Sequence, residues 1–158
     1  MRRIGTAAGV VLLTLTDQLL KLWARRVLAD GRVFTWDHVF ALRFVRNTGA
    51  AFSMFCAHTT LLSVLTGLFL LAGFAALFSG KVRSGILCAA FTLILSGGLG
   101  NWIDRVRVGY VTDFIEPLFM QFAVFNFADI LITVGAGLLI VWLIYDGVHG
   151  RREKKAQP

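Results

Sequence analysis

Four apolar stretches constrain the fold of this chain more than any other feature. They cover residues 4–23, 59–78, 84–101 and 128–145, and each approaches the ~20 apolar residues that cross a hydrocarbon core about 30 Å thick. Hydrophobic residues make up 57% of the chain and charged residues only 16%, against about 25% charged in soluble domains. A chain of 158 residues has too little interior to hide this excess from water. The sequence therefore predicts an all-α membrane protein with four transmembrane helices.

The connections between these spans are unequal in length. The third stretch is apolar only as far as Leu99 and reaches a membrane-spanning length only if its helix continues through Asn101 toward Asp104. The link between the second and third spans is a short turn, whereas segments 24–58 and 102–127 are long. With four spans, both long segments must lie on the same side of the membrane. We expect residues 1–158 to form a single polytopic membrane domain.

The long connections carry strand patterns. Apolar residues alternate over 39–46, and turn residues follow at Asn47-Thr48-Gly49. Shorter extended segments are predicted at 108–115 and 120–125, on either side of Glu116-Pro117. Together these segments predict a small extracytoplasmic β-sheet that rests on the outer membrane surface.

The basic residues indicate orientation rather than a nucleic-acid partner. The net charge is +7, but most of the basic residues lie at span ends, where cations meet anionic headgroups. Their density is highest in the short segments near both termini and in the turn at Lys81 and Arg83. By the positive-inside rule, both termini are expected in the cytoplasm. Lys21, Arg25 and Arg26 crowd the end of the first span, which favours a retained anchor over a cleaved signal peptide.

Cysteine and histidine residues do not indicate a disulfide or a metal site. Cys56 and Cys88 are expected on opposite sides of the membrane or at different depths, too far apart for a disulfide. The three histidines are scattered, and no pair of these residues has the spacing of metal ligands. We therefore expect no metal and no cofactor.

Charged side chains inside spans are the informative exceptions to the apolar pattern. Each costs roughly 2.5–3.5 kcal/mol near the centre of a span, so each is expected to have a structural or functional role. Asp17 lies four residues before Lys21 in the first span, which is the spacing of an ion pair on one helix face. That pair either only stabilises the span or supports a functional site, and both interpretations stay open.

The third span ends in a glycine-rich run that contains Asn101, Asp104 and Arg105. On a helix these three residues share a stripe with Gly97. Small-residue helix packing explains the glycines, and a surface contact between Asp104 and Arg105 could explain the two charges. The clustering of amide, carboxylate and guanidinium groups nevertheless favours a site.

The fourth span opens with Asn126 and Asp129, which fit the N-cap and an acidic position in the first turn. Capping alone could explain Asp129. However, the ends of spans one, three and four meet on the long-loop side, which brings Asp17, Asn101 and Asp129 to a similar depth. Asp113 reaches the same side in the apolar segment 111–115, where the alternative is a solvated loop aspartate.

Two carboxylates at this boundary suggest a hydrolytic reaction. Close together in a medium of low dielectric constant, they cannot both ionise easily, so one keeps a proton and the pair contains both an acid and a base. One aspartate can then deprotonate a water while the other polarises a scissile carbonyl. This chemistry hydrolyses a peptide bond without a covalent enzyme intermediate.

Five motifs in order between residues 17 and 129 resemble those of the bacterial lipoprotein signal peptidase family, also called signal peptidase II. The length of the chain and its four spans agree with that family as well. The motifs are Asp17-Gln18 with Lys21, residues 47–53, residues 97–101 with Asp104-Arg105, residues 111–114, and residues 125–129.

The resemblance implies an aspartic endopeptidase of the bacterial cytoplasmic membrane. Such an enzyme removes the signal peptide from diacylglyceryl-modified prolipoproteins and cuts just before the lipid-bearing cysteine. Membrane lipids and the inhibitor globomycin are further implied partners, and no nucleic acid is. The catalytic aspartates fall on Asp113 and Asp129, and Arg105 is expected to bind substrate backbone carbonyls. The other positions expected to bind substrate or support the site are Asn47, Gly49, Asn101, Asp104, Asn126, Ala128, Asp17 and Lys21.

Two further classes of function remain alternatives. A small polytopic transporter for ions or solutes could use the intramembrane Asp, Asn and Arg residues as an ion path. The second span, however, carries no charge, and the inner half of the fourth is apolar. A scaffold whose glycines only pack helices would tolerate Asp113→Asn and Asp129→Asn in cells.

Overall fold

The computed structural model describes residues 2–49, 59–80, 82 and 84–155. Four of its helices are long and apolar enough to cross a membrane, over Ile4–Val27, Thr59–Phe78, Gly85–Val108 and Phe127–Val148. A small sheet of three strands accompanies them. The predicted architecture of four spans with a small sheet is therefore confirmed. In chain order the elements are α1 (Arg2–Val27), β1 (Phe34–Trp36), β2 (Phe40–Asn47), α2 (Thr59–Phe78), α3 (Gly85–Val108), β3 (Val111–Pro117) and α4 (Phe127–Lys155).

Three helices extend further than the apolar stretches from which they were predicted. Helix α1 continues to Val27 instead of ending at Trp23, and α3 continues to Val108, past the predicted end at Asn101. Hydropathy marks the part of a helix in the hydrocarbon core, whereas backbone hydrogen bonding can continue through the polar residues beyond it. Helix α3 ends at Gly109, which has a φ of 81° and donates its N–H to the carbonyl of Arg105 at 3.2 Å.

Helix α3 lies at the centre of the bundle and packs against α1, α2 and α4. Its glycines allow the close approach, because a Cβ at Gly97 would overlap with the carbonyl oxygen of Ala128 in α4. On the opposite side, the indole N–H of Trp102 donates to the carbonyl of Ser63 in α2 at 2.9 Å. The polar end of α3 is thereby fixed relative to its neighbours.

The sheet has the order β1-β2-β3, and both strand pairs are antiparallel. An irregularity between Leu42 and Val45 shifts the register of β2 against β3, and Val45 then lies opposite Asp113. Phe114 packs with Ala24 and Leu28 of α1 in a small buried cluster. This contact fixes the middle of β3 against the end of the first span.

The segment 120–125, predicted to be extended, does not form a strand of the sheet. It pairs with β3 only through Phe125, which bridges to Ile115. The main partner of β3 is β2, and β3 itself begins at Val111, because Val108 still belongs to α3. With Phe125 opposite Ile115, the chain enters α4 two residues later, so Asp129, in the first turn of α4, lies close to β3. A straight hairpin would instead have placed Asp113 opposite Phe122, far from Asp129.

Candidate active site

Asn126 holds both proposed catalytic carboxylates. Asp113 lies within β3 with 2% of its surface exposed, and Asp129 lies in the first turn of α4. The side-chain amide of Asn126 donates to Oδ1 of Asp113 at 2.6 Å, and its backbone N–H donates to Oδ2 of Asp129 at 3.0 Å. In return, the backbone N–H of Asp129 donates to Oδ1 of Asn126 at 3.1 Å. Asn126 is thus the predicted N-cap, and this reciprocal cap joins the two carboxylates through one buried residue.

Asn101 supplies the second contact to Asp129. Its Nδ2 donates to Oδ1 of Asp129 at 2.9 Å. Its Oδ1 accepts from Nζ of Lys21 at 2.7 Å and from Nδ2 of Asn126 at 3.2 Å. Because an ammonium can only donate, the amide oxygen must face Lys21, and the NH₂ group is left to face Asp129.

Asn47 supplies the second contact to Asp113. Its Nδ2 donates to Oδ2 of Asp113 at 2.9 Å, and its Oδ1 accepts the backbone N–H of Gly49 at 3.0 Å. Gly49 therefore orients Asn47 through a turn and does not line the cavity. Each oxygen of both aspartates accepts one N–H donor from an asparagine.

Burial controls the protonation of Asp113. Desolvation raises the pKa of this carboxyl from 3.8 to about 6, and the negative charge of Asp129 adds to the rise. The hydrogen bonds from Asn126 and Asn47 and the charge of Lys21 act in the opposite direction without offsetting it. Asp113 can therefore hold a proton in a mildly acidic to near-neutral medium.

Asp17 and Lys21 form the ion pair that their spacing predicted, with Nζ and Oδ2 2.9 Å apart and neither side chain exposed. The other oxygen of Asp17 accepts the backbone N–H of Ala128 at 3.0 Å. A Cβ at Gly100 would overlap with the Asp17 carboxylate, so the glycine permits this approach. The pair lies behind the cavity and supports the start of α4.

Asp104 also lies behind the site, and the considered surface contact with Arg105 is wrong. Asp104 is 1% exposed. Its Oδ1 accepts from Arg25 at 3.1 Å, and its Oδ2 accepts the backbone N–H of Thr112 at 2.8 Å. Arg25 also donates to the hydroxyl of Thr112 at 3.1 Å. These bonds fix the strand residue that precedes Asp113.

Arg105 lines the cavity, and one of its N–H donors has no partner among the described residues. Its two terminal nitrogens donate to the carbonyls of Asn101 and Gly49 at 3.5 and 3.2 Å. Its Nε is buried and has no hydrogen-bond partner within the part of the chain that the structure describes. A buried unpaired N–H is costly, so the two carbonyl contacts and the rest of the site must stabilise this position of the guanidinium.

The site opens into a cavity of about 740 Å³, a size typical of ligand pockets. Apart from a few polar groups its wall is apolar, which suits an apolar peptide segment. Of the predicted site residues, those that line the cavity are Asn47, Asn101, Arg105, Asp113 and Asp129, and those that lie behind it are Asp17, Lys21, Gly49, Asp104, Asn126 and Ala128. The other lining residues include Val45, Arg46, Thr48, Val111, Phe122, Phe125, Ile130, Ile132, Thr133 and Val134.

Sequence reasoning missed two kinds of residue. The first is Arg25, which forms an ion pair with Asp104. Its position one helical turn after Lys21, on the same face of α1, could have indicated a role in the site. Arg46 and the apolar walls gave no comparable signal, because a strand residue contributes to a cavity only once the sheet register is known. The proposed motif at 47–53 falls partly outside the described residues, which end at Gly49 before resuming at Thr59.

Comparison with known proteins gives consistent matches. The family model described as signal peptidase (SPase) II matches residues 9–145. A lipoprotein signal peptidase of Lactococcus lactis subsp. cremoris is 36% identical over 148 residues, which cover 92% of this chain and 97% of the relative. One of Streptococcus agalactiae serotype V is 37% identical over 153 residues, which cover 95% and 98%.

Solved structures agree with this result. A structure described as a bacterial membrane enzyme matches with a TM-score of 0.84 at 29% identity, and the match covers 90% of this chain and 89% of the other. A second structure with the same description has a TM-score of 0.80 at 30% identity, and that match covers 90% and 94%.

Proposed function

The chain belongs to the signal peptidase II family, and on this premise we propose that Asp113 and Asp129 are its catalytic pair. The family match extends over residues 9–145 and the curated relatives are matched almost end to end. The protein is a bacterial multi-pass membrane aspartic endopeptidase that removes signal peptides from prolipoproteins. The observation that carries the catalytic assignment is the common attachment of both carboxylates to Asn126 beside the cavity.

In the proposed reaction, a water bound between the carboxylates attacks the scissile carbonyl carbon. Asp129 accepts a proton from the water while protonated Asp113 donates to the carbonyl oxygen. As the carbon–nitrogen bond of the tetrahedral intermediate breaks, Asp129 gives its proton to the leaving amine nitrogen, and Asp113 takes a proton back from a hydroxyl of the intermediate. The water thus contributes its oxygen to the new carboxyl group, and the aspartates return to one shared proton.

The division of roles follows from the surroundings of each carboxylate. Burial raises the pKa of Asp113 to about 6, which favours it as the proton donor. Asp129 lies at the N-terminus of α4, where the partial positive charge of the helix favours an anionic side chain. The apparent pKa of the active form belongs to the pair as a whole.

The remaining parts of the proposal concern substrate and orientation. The apolar cavity wall and the position of Arg105 on it support binding of an extended apolar peptide by its backbone carbonyls. We extend the family resemblance to a diacylglyceryl-bearing cysteine after the cleaved bond, to contacts with membrane lipids, and to inhibition by globomycin.

The density of basic residues near both termini supports a cytoplasmic location for both termini, with the sheet on the outer side of the membrane. The transporter alternative is not favoured, because the relatives are peptidases.

The test replaces each aspartate by asparagine and measures cleavage of a synthetic diacylglyceryl-modified precursor in detergent micelles, with the cut located by mass spectrometry. Loss of an acid or base is expected to lower kcat about 10²–10⁴-fold. Asp30→Asn is the matched control, because the Asp30 side chain is 72% exposed and forms an ion pair with Arg32 at 3.8 Å, away from the cavity. Wild-type activity in Asp113→Asn or Asp129→Asn would refute the assignment.

A further inference from the structure

Thr133 is an exposed polar residue of the cavity wall that the proposed reaction does not use. It lies in α4, within the membrane-spanning segment Phe127–Val148 and one helical turn after Asp129. Residues four apart share a helix face, and helical side chains lean toward the N-terminus of their helix, so Thr133 points back toward the turn of Asp129. Its hydroxyl therefore lies on the face of α4 that carries a proposed catalytic carboxylate.

The neighbours of Thr133 place it at the middle of the helix face that lines the cavity. Ile132 lies on one flank of this face, and Ile130 and Val134 lie on the other. At about 100° per residue, Thr133 lies between the two flanks. Because the flanking side chains are apolar, Thr133 and Asp129 are the only polar residues that α4 contributes to the described cavity wall.

The hydroxyl of Thr133 has no hydrogen-bond partner among the described residues. Other hydroxyls in the spans, such as those of Thr16, Ser63 and Thr92, donate to the carbonyl four residues earlier at 3.0, 2.8 and 2.7 Å. Such a bond satisfies the hydroxyl within its own helix. Thr133 does not form this bond, so its hydroxyl is free to donate to a molecule in the cavity.

The position of Thr133 indicates which part of a substrate it meets. The signal segment precedes the cleaved bond and is apolar, so it reaches the catalytic pair from the membrane side, where Ile132 and Val134 line the cavity. Where that segment is extended, its carbonyls lack the partners that a helix would supply, and no water in the hydrocarbon core replaces them. From Asp129 to Thr133, α4 rises about 6 Å. An extended chain covers this distance in about two residues, so Thr133 lies near the second or third residue before the cleaved bond.

We propose that Thr133 is a substrate-binding residue whose hydroxyl donates a hydrogen bond to the backbone carbonyl of the second or third residue before the cleaved bond. This inference rests on the proposed function and adds a substrate contact to it. Because the contact is made to a backbone atom, it fixes the register of the signal segment against α4 without selecting a side chain. The bond is the same before and during the reaction, so its loss is expected to affect KM more than kcat.

The first experiment measures cleavage of a diacylglyceryl-modified precursor peptide by the full chain in detergent micelles. Thr133→Val retains the shape of the side chain and removes the hydroxyl. It is expected to raise KM about three- to tenfold and to change kcat by less than about twofold. Thr133→Ser keeps the hydroxyl, and its KM is expected to stay within about twofold of that of the unaltered protein.

The second experiment replaces one backbone carbonyl oxygen of the precursor by sulfur, a weaker hydrogen-bond acceptor, at the second, third or fourth residue before the cleaved bond. In the unaltered protein, sulfur at the second or third residue is expected to raise KM by a factor similar to that of Thr133→Val. In Thr133→Val, the same sulfur is expected to have little further effect, because the bond is already absent. Independent effects of the sulfur and of the substitution at all three positions overturn the inference.

Thr66→Val is the matched control. Thr66 lies in α2 and does not line the cavity, and its hydroxyl, like that of Thr133, has no hydrogen-bond partner among the described residues. The KM of this variant is expected to match that of the unaltered protein. An equal increase in KM in Thr66→Val and Thr133→Val overturns the inference, and so does an unchanged KM in Thr133→Val.

A precursor with ether in place of ester linkages in its lipid tests the other carbonyls that a substrate brings. Thr133→Val is expected to raise KM equally with both lipids. An increase in KM that disappears with the ether lipid would assign the hydroxyl to a lipid ester and overturn the inference. Failure of the unaltered protein to cleave the unmodified precursor would instead refute the proposed function, and this inference with it.

Discussion

The carboxylate of Asp17 accepts a hydrogen bond from the backbone N–H of Ala128 at 3.0 Å, although the two residues are 111 positions apart. This bond joins α1 to the first turn of α4, directly before Asp129. The second oxygen of Asp17 pairs with Lys21, which binds Asn101, which in turn binds Asp129. A buried ion pair on α1 therefore positions Asp129 both through the backbone and through an oriented amide.

Lys21→Met is expected to reduce both stability and activity. The substitution leaves the buried carboxylate of Asp17 unpaired, which costs on the order of 3–5 kcal/mol. It also removes the cation that orients the amide of Asn101 toward Asp129. Thermal unfolding in detergent, followed by tryptophan fluorescence, measures the first effect, and precursor cleavage measures the second.

A double variant separates these two effects of Lys21. Asp17→Asn combined with Lys21→Met leaves no unpaired charge and keeps an oxygen for the Ala128 N–H, so part of the lost stability is expected to return. Activity is expected to stay low, because the amide oxygen of Asn101 then keeps only the weaker, neutral donor Asn126 and loses the ammonium of Lys21. Full activity in the double variant would contradict a role for Lys21 in positioning the amide.

Gly100→Ala is expected to destabilise the protein by about 1–3 kcal/mol, as overpacking does. The new Cβ would overlap with the Asp17 carboxylate, which cannot retreat without loosening its bonds to Lys21 and Ala128. Gly137→Ala in α4 is the control, because a Cβ there meets nothing within 4 Å. We expect its melting temperature to match or exceed that of the unaltered protein, and an equal loss in both variants would argue against the proposed close contact.

The sequence was sufficient for the spans and for the ion pair of Asp17 and Lys21, for different physical reasons. A helix in lipid must be apolar over its whole membrane-spanning length, so composition alone located the helices. Asp17 and Lys21 were paired correctly because helical spacing is fixed. Asp113 and Asp129 were assigned mainly through the resemblance to signal peptidase II, since spacing alone left other interpretations open.

The sheet was harder to predict because its apolar residues do not report burial. Met120 and Phe122 are 49% and 46% exposed, so their alternation in 120–125 did not indicate a strand face against a core. In a membrane protein an outward apolar side chain can meet lipid, and the usual penalty for exposure is absent. Three-residue β1 was missed because it is too short to show a period. The contact between Asp104 and Thr112 depends on this sheet and could not be predicted without it.

The raised pKa of Asp113 predicts that folding stability falls as pH increases. The folded protein retains this proton up to about pH 6, whereas the unfolded chain releases it near 3.8. More protons are then bound in the folded state, so the free energy of unfolding decreases across this window, by roughly 3 kcal/mol in total. Melting temperatures measured from pH 4 to pH 7 are expected to decline in the unaltered protein and to vary less in Asp113→Asn. Equal slopes of melting temperature against pH in the two proteins would show that another titrating group dominates the pH dependence of stability.

The rate of cleavage is expected to depend on the same proton. If Asp113 is the acid, kcat/KM decreases above an apparent pKa near 6, because the free enzyme must hold the shared proton. Initial rates with an uncharged precursor, measured well below its KM in buffers of constant ionic strength, give this profile. A flat profile from pH 5 to pH 8 would contradict the assignment of Asp113 as the proton donor.

Asn47→Ala is expected to move the alkaline limb of that profile to higher pH. The amide of Asn47 donates to Oδ2 of Asp113 at 2.9 Å, and this bond favours the ionised carboxylate. Its removal raises the pKa of Asp113 further, by about one unit if the bond contributes 1.5 kcal/mol or so. Thr48→Ala is the control, because it alters the next residue on the cavity wall and removes no hydrogen bond to Asp113. The alkaline limb of its pH–rate profile is expected to stay at the wild-type pH. A shift in the opposite direction would mean that Asn47 stabilises the protonated form of Asp113, and the effect assigned to this hydrogen bond would be wrong.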